Sequence, residues 1–447
     1  MRTTSDHCPF GLAVLVLGAA AALAGAQDSV ALAEKFGPDH LSKVEVAVKL
    51  TGRLALPAGK DKTPEVVTLT GTSRVRYDER ILSPDPGALT AVRAYRDVEF
   101  TRTVGGITQD AGIRPSVRRM VVIRSESRRA PFSPDGPLTW GEIDVVRTDV
   151  FNPATVPGLL PAGAVRKGET WKASAAAVAE LTDLEKVEEG GLSVEFVGVV
   201  EVDRRRVARL KVSGVVKGVN QDGPSRQTLD GTAYFDLGDA MLTYLSVKGT
   251  HELLDGKGQT VGRIEGQFTM TRGRLDKAPA DLSDASLRDL ELKPTAENTL
   301  LLYDDARLGV RFLYPRGWRV GAVQGRQVTL DHAAGAGLLL TVESAAKLPT
   351  AEDYAKEVTG FLEKQKAEVA AAEKPTRVRG EPAPLDRFAI DATVKNEKVR
   401  LEYAVLRQTD GGVTAAANIP AEAAAALKPE VERIIRSLAV TKKIEEK

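Results

Sequence analysis

Alternation of apolar and polar residues with a period of two runs through most of this chain and commits it to sheet. In Val92-Arg93-Ala94-Tyr95-Arg96-Asp97-Val98-Glu99-Phe100 the even positions are mostly apolar and the odd ones mostly polar, the pattern of a strand with one buried face. Similar runs at 44–54, 66–77, 120–124 and 142–150 predict one antiparallel array. A Pro- and Gly-containing break follows at 151–163, and a second set of strands is expected at 192–202, 206–217, 228–237, 241–254 and 261–274. Asn220-Gln221-Asp222-Gly223-Pro224 and Asp255-Gly256-Lys257-Gly258 separate them, because Gly supplies the positive φ at which a hairpin reverses. The last hairpin has arms of about 14 residues, roughly 45 Å extended. Strands of that length predict a large curved sheet or half-barrel.

Segment 277–299 is acidic and short of aromatics and reads as a linker with a short helical turn. Beyond it the pattern becomes mixed. Strands are expected at 310–314, 326–330, 337–343, 387–394, 398–407 and 413–418. A helix is expected at 351–373, with Tyr354, Val358, Phe361, Leu362 and Val369 on one face, and another from Pro429 through Val431, Ile434, Ile435 and Leu438. The fold class is therefore α+β. The expected order is a signal peptide (1–26), a leader (27–42), a β-rich region (43–276) whose two halves meet near 151–170, the linker (277–299), an α+β domain (300–440) and a charged tail (441–447).

The first residues carry Arg2, an uncharged apolar run at 10–23, and Ala24-Gly25-Ala26. That is the order of a secretory signal, with cleavage expected after Ala26 and a periplasmic or secreted product. The run is shorter than the roughly 20 residues of a spanning helix, and no second stretch reaches that length. Retention as an anchor is the alternative. A lipoprotein reading fails because Cys8 precedes the run, and with Cys8 removed the mature chain is expected to be cysteine-free. About 420 residues then remain, enough for two or three domains. Lys and Arg number 62 against 61 Asp and Glu, a balance that gives no global attraction for nucleic acid. Residues 92–129 concentrate arginine (93, 96, 102, 114, 118, 119, 124, 128, 129), and these are expected on a solvated sheet face.

Groups able to do chemistry are scarce. His40, His251 and His332 show no metal-ligand spacing; His251-Glu252-Leu253-Leu254-Asp255 lacks the second histidine of a zinc helix, and His251 is expected to point outward from a strand. No G-x-S-x-G elbow, phosphate loop or calcium loop occurs. Glu142 and Asp144 fall on one face of an expected strand beside Trp140. Two acids so close along a strand read as surface and cannot themselves flank a scissile bond. Trp140, Trp171 and Trp318 are expected in the core, with Trp140 the one that could instead stack on a ligand. No catalytic residue, metal site or cofactor is expected, and the chain is read as not an enzyme.

Leu308-Gly309-Val310-Arg311-Phe312-Leu313-Tyr314-Pro315-Arg316-Gly317-Trp318 and the closing Ile434-Ile435-Arg436-Ser437-Leu438 resemble the ends of a PsbP-type domain. The resemblance implies an α/β/α sandwich in an exported or lumenal accessory protein. Leu160-Pro161, Val165, Gly168 and Thr170-Trp171 resemble more faintly the unclosed barrels of LolA-type lipoprotein carriers. The leading expectation is an exported, non-catalytic binding or accessory protein of the bacterial envelope that contacts another envelope protein. The alternative is a carrier holding an apolar small molecule on the concave face, where Val194, Phe196, Leu210, Val212, Phe268 and Met270 would line the cavity. A hydrolase with an unrecognised site is the third.

Overall fold

The computed structural model describes residues 29–34, 36–56, 65–83, 88–125, 128–129, 131–147, 157–220, 223–379 and 383–446. The export signal and its cleavage point lie outside them. The expectation of a cysteine-free chain is corrected: the sequence holds a cysteine, Cys8, and its removal rests on a segment the structure does not describe.

The chain runs through β1 (Leu41–Leu56), β2 (Glu65–Ser83), β3 (Ala88–Val104), β4 (Ile107–Ala111), β5 (Arg119–Ser125), β6 (Arg128–Arg129), β7 (Leu138–Thr139) and α1 (Trp140–Arg147). It continues through β8 (Thr170–Lys172), α2 (Ala175–Thr182), β9 (Lys186–Val202), β10 (Arg205–Asn220), β11 (Gly223–Asp236), β12 (Met241–Leu254), β13 (Thr260–Arg274) and α3 (Asp284–Leu287). All of the strands except β7 join one antiparallel sheet of twelve, ordered β6-β5-β3-β2-β1-β13-β12-β11-β10-β9-β8 with β4 beside β3. The sheet is curved and unclosed. Because β1 pairs along its length with β13, the two expected halves share one continuous ladder.

The remainder holds β14 (Leu301–Asp305), β15 (Val310–Tyr314), β16 (Trp318–Gln324), β17 (Gln327–His332), β18 (Gly337–Glu343), α4 (Ala351–Lys364), β19 (Glu368–Ala372), β20 (Thr376–Val378), β21 (Leu385–Val394), β22 (Glu397–Gln408), β23 (Gly411–Pro420), α5 (Ala424–Arg436) and β24 (Ala439–Val440). Eight of these strands form a second sheet, β16-β17-β18-β23-β22-β21-β19, with β20 on β21. Val358 and Leu362 of α4 pack on the face carrying Phe388, Ile390 and Tyr403. Leu427, Val431 and Ile434 of α5 join the core that includes Ala404, Leu406 and Ala415 on the other face. A third sheet, β24-β15-β14-β7, draws in the strand at Leu138–Thr139.

Several expectations are corrected. Of the expected strand at 142–150, residues 142–147 lie in helix α1 and 148–150 lie outside the described residues; the helix is started by a reciprocal cap in which Glu142 N donates to Thr139 Oγ1 at 3.1 Å and Thr139 N donates to Glu142 Oε2 at 2.8 Å, a capping box. The helix from 351 stops at Lys364, because Lys366 takes a left-handed φ of 55°, and Val369 leaves its face for β19. The last helix begins at Ala424, and Pro429 lies inside it beyond the first turn, where a proline removes one i→i−4 hydrogen bond.

The expected leader is docked. Val30 bridges Val165, and Leu32 is 1% exposed. Glu34 accepts from Leu242 N at 2.8 Å and from the guanidinium of buried Arg272. The expected linker straps β3, with Leu282 and Leu287 covering Val92 and Ala94; Arg96 Nη2 reaches Asp281 at 2.8 Å and Arg80 bonds Asp284. Arg93 therefore does not face solvent. It lies inside, over the Tyr77 ring, with Nε donating to Glu79 Oε2 at 2.8 Å.

Candidate functional site

The inner face of the large sheet is filled by its own side chains except beside Phe268. Val194 stands opposite Val212 and Phe196 opposite Leu210; these four and Met270 are at most 2% exposed and belong to one packed core. Phe268 is half-buried and differs from the other five. With Val48, Leu50, Leu229, Val247 and Ile264 it lines an apolar crevice of about 190 Å³, bounded by Leu181 of α2. Gly266 and Gly249, side by side in the ladder, leave that space open because neither carries a side chain. His251 also lines the crevice, a correction to its expected outward position. Gln227 beside it donates to Thr182 O at 2.7 Å and ties α2 to the sheet.

On the opposite face of the same strands lies a trough of about 960 Å³. Two rows cross six strands. One is Thr103, Thr70, Thr51, Glu265, Thr250 and Thr228; the next is Thr101, Thr72, Lys49, Gln267, Lys248 and Asp230. Antiparallel pairing brings these residues side by side at intervals of about 4.8 Å. Between the rows Gly71, Leu50, Gly266 and Gly249 turn their faces to the inner side. A Cβ on Gly71 would stand 2.9 Å from Leu50 Cδ1, and one on Gly249 would stand 2.5 Å from Leu229 Cδ2 and 2.7 Å from Thr228 O, so the glycines let the leucines lie across the ladder. Glu265 pairs with Arg263 at 3.4 Å; among the described residues, Lys49 and Lys248 make no ion pair. The trough is a surface of hydroxyls with two ammonium groups, two carboxylates and one amide. The signal that could have found it is the Thr68-Leu69-Thr70-Gly71-Thr72 alternation, with Thr101 and Thr103 in the partner strand.

Glu142, read as a surface acid, is 3% exposed and fully engaged. Besides the helix cap it accepts from Arg114 N at 2.9 Å, Arg114 Nε at 2.8 Å and Arg114 Nη2 at 2.8 Å. Burial opposes its ionisation, but the Arg114 and Thr139 donors outweigh it and hold the carboxyl below its usual range. It is bound up as a structural anion. Trp318 is fully buried and donates to Glu430 Oε2 at 2.8 Å, and Trp171 donates to Leu159 O at 2.9 Å. Trp140 departs from the core expectation at 39% exposure. Burial lowers His40 to about 4, helped by Arg272 and Arg274. His332 Nδ1 accepts from Ala334 N at 3.1 Å in a turn. Among the described residues, no group of three or more His, Cys, Asp or Glu is placed to hold a metal ion, and no helix is long and apolar enough to cross a membrane.

No protein-family model matches the chain, and no curated protein matches it. Among solved structures, the cyanobacterial PsbP of Synechocystis sp. PCC 6803 matches 32% of this chain and 92% of that chain, at 17% identity and a TM-score of 0.26. A structure of lipovitellin, described for its lipid–protein interactions, matches 56% of this chain and 27% of that chain, at 10% identity and a TM-score of 0.30. DynF, from the dynemicin biosynthesis pathway of Micromonospora chersina, matches 57% of this chain and 88% of that chain, at 11% identity and a TM-score of 0.14. The likeness to a PsbP-type domain is distant and partial, and at these scores none of the three carries an argument about function. The resemblance to LolA-type carriers finds no support.

Proposed function

We propose that this chain is an exported, non-catalytic binding protein of the bacterial cell envelope, acting through contact with another protein in the polar trough. The observation that carries this reading is the division of labour between the two faces of one sheet. The inner face is occupied by the protein's own core, whereas the outer face presents about 960 Å³ of groove lined by hydrogen-bonding side chains. A polar, wet groove suits reversible contacts between proteins better than the retention of an apolar ligand. The apolar run at 10–23 followed by Ala24-Gly25-Ala26 supports export.

A photoreactive amino acid placed at Thr72 or Lys248 in producing cells is expected to capture one discrete polypeptide, and Lys49→Glu with Lys248→Glu is expected to abolish the adduct. The same residue at exposed Lys364 on α4 serves as the control. Adducts of equal size and yield from all three positions, or none from the trough, would overturn the reading. A second reading, a carrier of an apolar molecule, is favoured by the crevice beside Phe268. Its volume of about 190 Å³ is below the roughly 300–1,000 Å³ of drug-sized ligand sites.

A further inference from the structure

A second cleft, of about 460 Å³, lies where α1 meets the third sheet, and its walls come from segments far apart in sequence. β7 pairs with β14 only at Leu301 and Leu302 and then gives way to α1. Past Leu302, among the described residues, no strand pairs with the edge of β14 that faces β7, and Tyr303 and Asp304 line the opening. Trp140, the first residue of α1, stands at the wall. It is the most exposed of the three tryptophans; the capping box at Thr139 and Glu142 holds the backbone on either side of it.

The remaining groups are polar and placed by rigid elements. Tyr303 stacks on Phe312 at 4.8 Å between ring centroids, and its hydroxyl donates to Asp305 Oδ2 at 3.3 Å. Tyr314 is 3% exposed and borders the floor above buried Trp318. Asp304 and Arg319 are exposed at the rim. Among the described residues neither makes an ion pair, and together they leave the cleft with no net charge. Aliphatic lining is limited to Leu302 and Val320, so a purely apolar ligand would strand the polar groups.

We infer that this cleft is a saccharide-binding site for a small neutral sugar. A pyranose has an apolar face of C–H groups that lies flat on an indole, while its ring-edge hydroxyls both donate and accept. Trp140 supplies the platform. Asp304 accepts from adjacent hydroxyls and Arg319 donates to them, as charge-assisted hydrogen bonds. The volume falls in the usual range for small-ligand sites. This site is separate from the trough and does not rest on the protein-contact reading.

The test is isothermal titration of the purified chain with three soluble neutral disaccharides: maltose, cellobiose and N,N′-diacetylchitobiose. The expected result is saturable one-to-one binding of at least one, with a dissociation constant of about 1 mM or tighter. Trp140→Ala should weaken it at least about tenfold, Trp140→Phe less, and Asp304→Asn or Arg319→Ala by an intermediate amount, the last two with unchanged unfolding midpoints because both residues are exposed. Absence of saturable binding by every probe overturns the proposal. So does binding that Trp140→Ala and Asp304→Asn leave unaltered, since the sugar would then sit elsewhere.

Discussion

Replacing Glu34 with alanine is expected to destabilise the chain by about 3–5 kcal/mol, the usual loss when one member of a buried ion pair is removed. The side chains of Glu34 and Arg272 are 6% and 1% exposed, and Glu34 also accepts from Leu242 N. Alanine leaves the Arg272 guanidinium over the Phe36 ring, 4.9 Å from its centroid, with its nearest counter-charge gone. The double substitution Glu34→Leu with Arg272→Met should recover most of the loss, since apolar residues of similar size satisfy a buried site without the desolvation penalty. Urea denaturation of the two variants checks both statements. A loss below about 1 kcal/mol for Glu34→Ala, the scale of an exposed pair, would mean that residues 29–34 are not docked against β12 and β13.

The second large effect falls on Glu142. Glu142→Ala removes the reciprocal partner of the α1 cap and strips Arg114 of its carboxylate, and a loss of about 2–4 kcal/mol is expected. Glu142→Gln keeps an acceptor oxygen and should lose less. The difference between wild type and Glu142→Gln should also depend on pH. Because the folded protein holds this carboxyl below its ordinary value, the ionised form stabilises the fold at pH above about 4.3, the value in the unfolded chain. That contribution fades as pH falls through the lower, folded value. Denaturation at neutral pH and again below pH 4 measures it. A difference that stays constant across the range would show that Glu142 is not an ionised partner of Arg114.

The long strands were legible because their alternation is local and repeats without interruption, and the Gly-containing turns between them carry their own chemistry. The exceptions share a cause. At 91–95 all five residues of β3 are buried: Arg93 and Tyr95 meet the inner core, and Val92 and Ala94 are roofed by Leu282 and Leu287. A strand whose second side is roofed by a segment almost 200 positions away shows no trace of that cover in its own period. Arg93 was therefore read as solvated when it is paired inside with Glu79.

α1 was misread for a different reason. Ile143 and Val145 alternate with Glu142 and Asp144, which fits a strand, but Ile143 and Val146 also fit a helix, and only the Thr139-Trp140-Gly141-Glu142 capping box distinguishes the two. The trough was not read because its twelve polar side chains are distributed over six strands, and only the register aligns them. The Trp140 cleft depends on β7, two residues long, pairing in parallel with a strand more than 150 positions later. Composition gave the tryptophan its prominence; tertiary contact gave it a site.

The central claim is that the inner face of the sheet is a packed core and that binding takes place on the outside of the molecule. Native mass spectrometry of the protein purified from the cells that make it, followed by solvent extraction of the sample, tests this most directly. The account predicts the mass of the polypeptide alone or of a complex with another polypeptide, and nothing apolar in the extract at stoichiometric yield. A stoichiometric apolar molecule, retained in the native spectrum and released on denaturation, would contradict it and make the crevice at Phe268 the functional site.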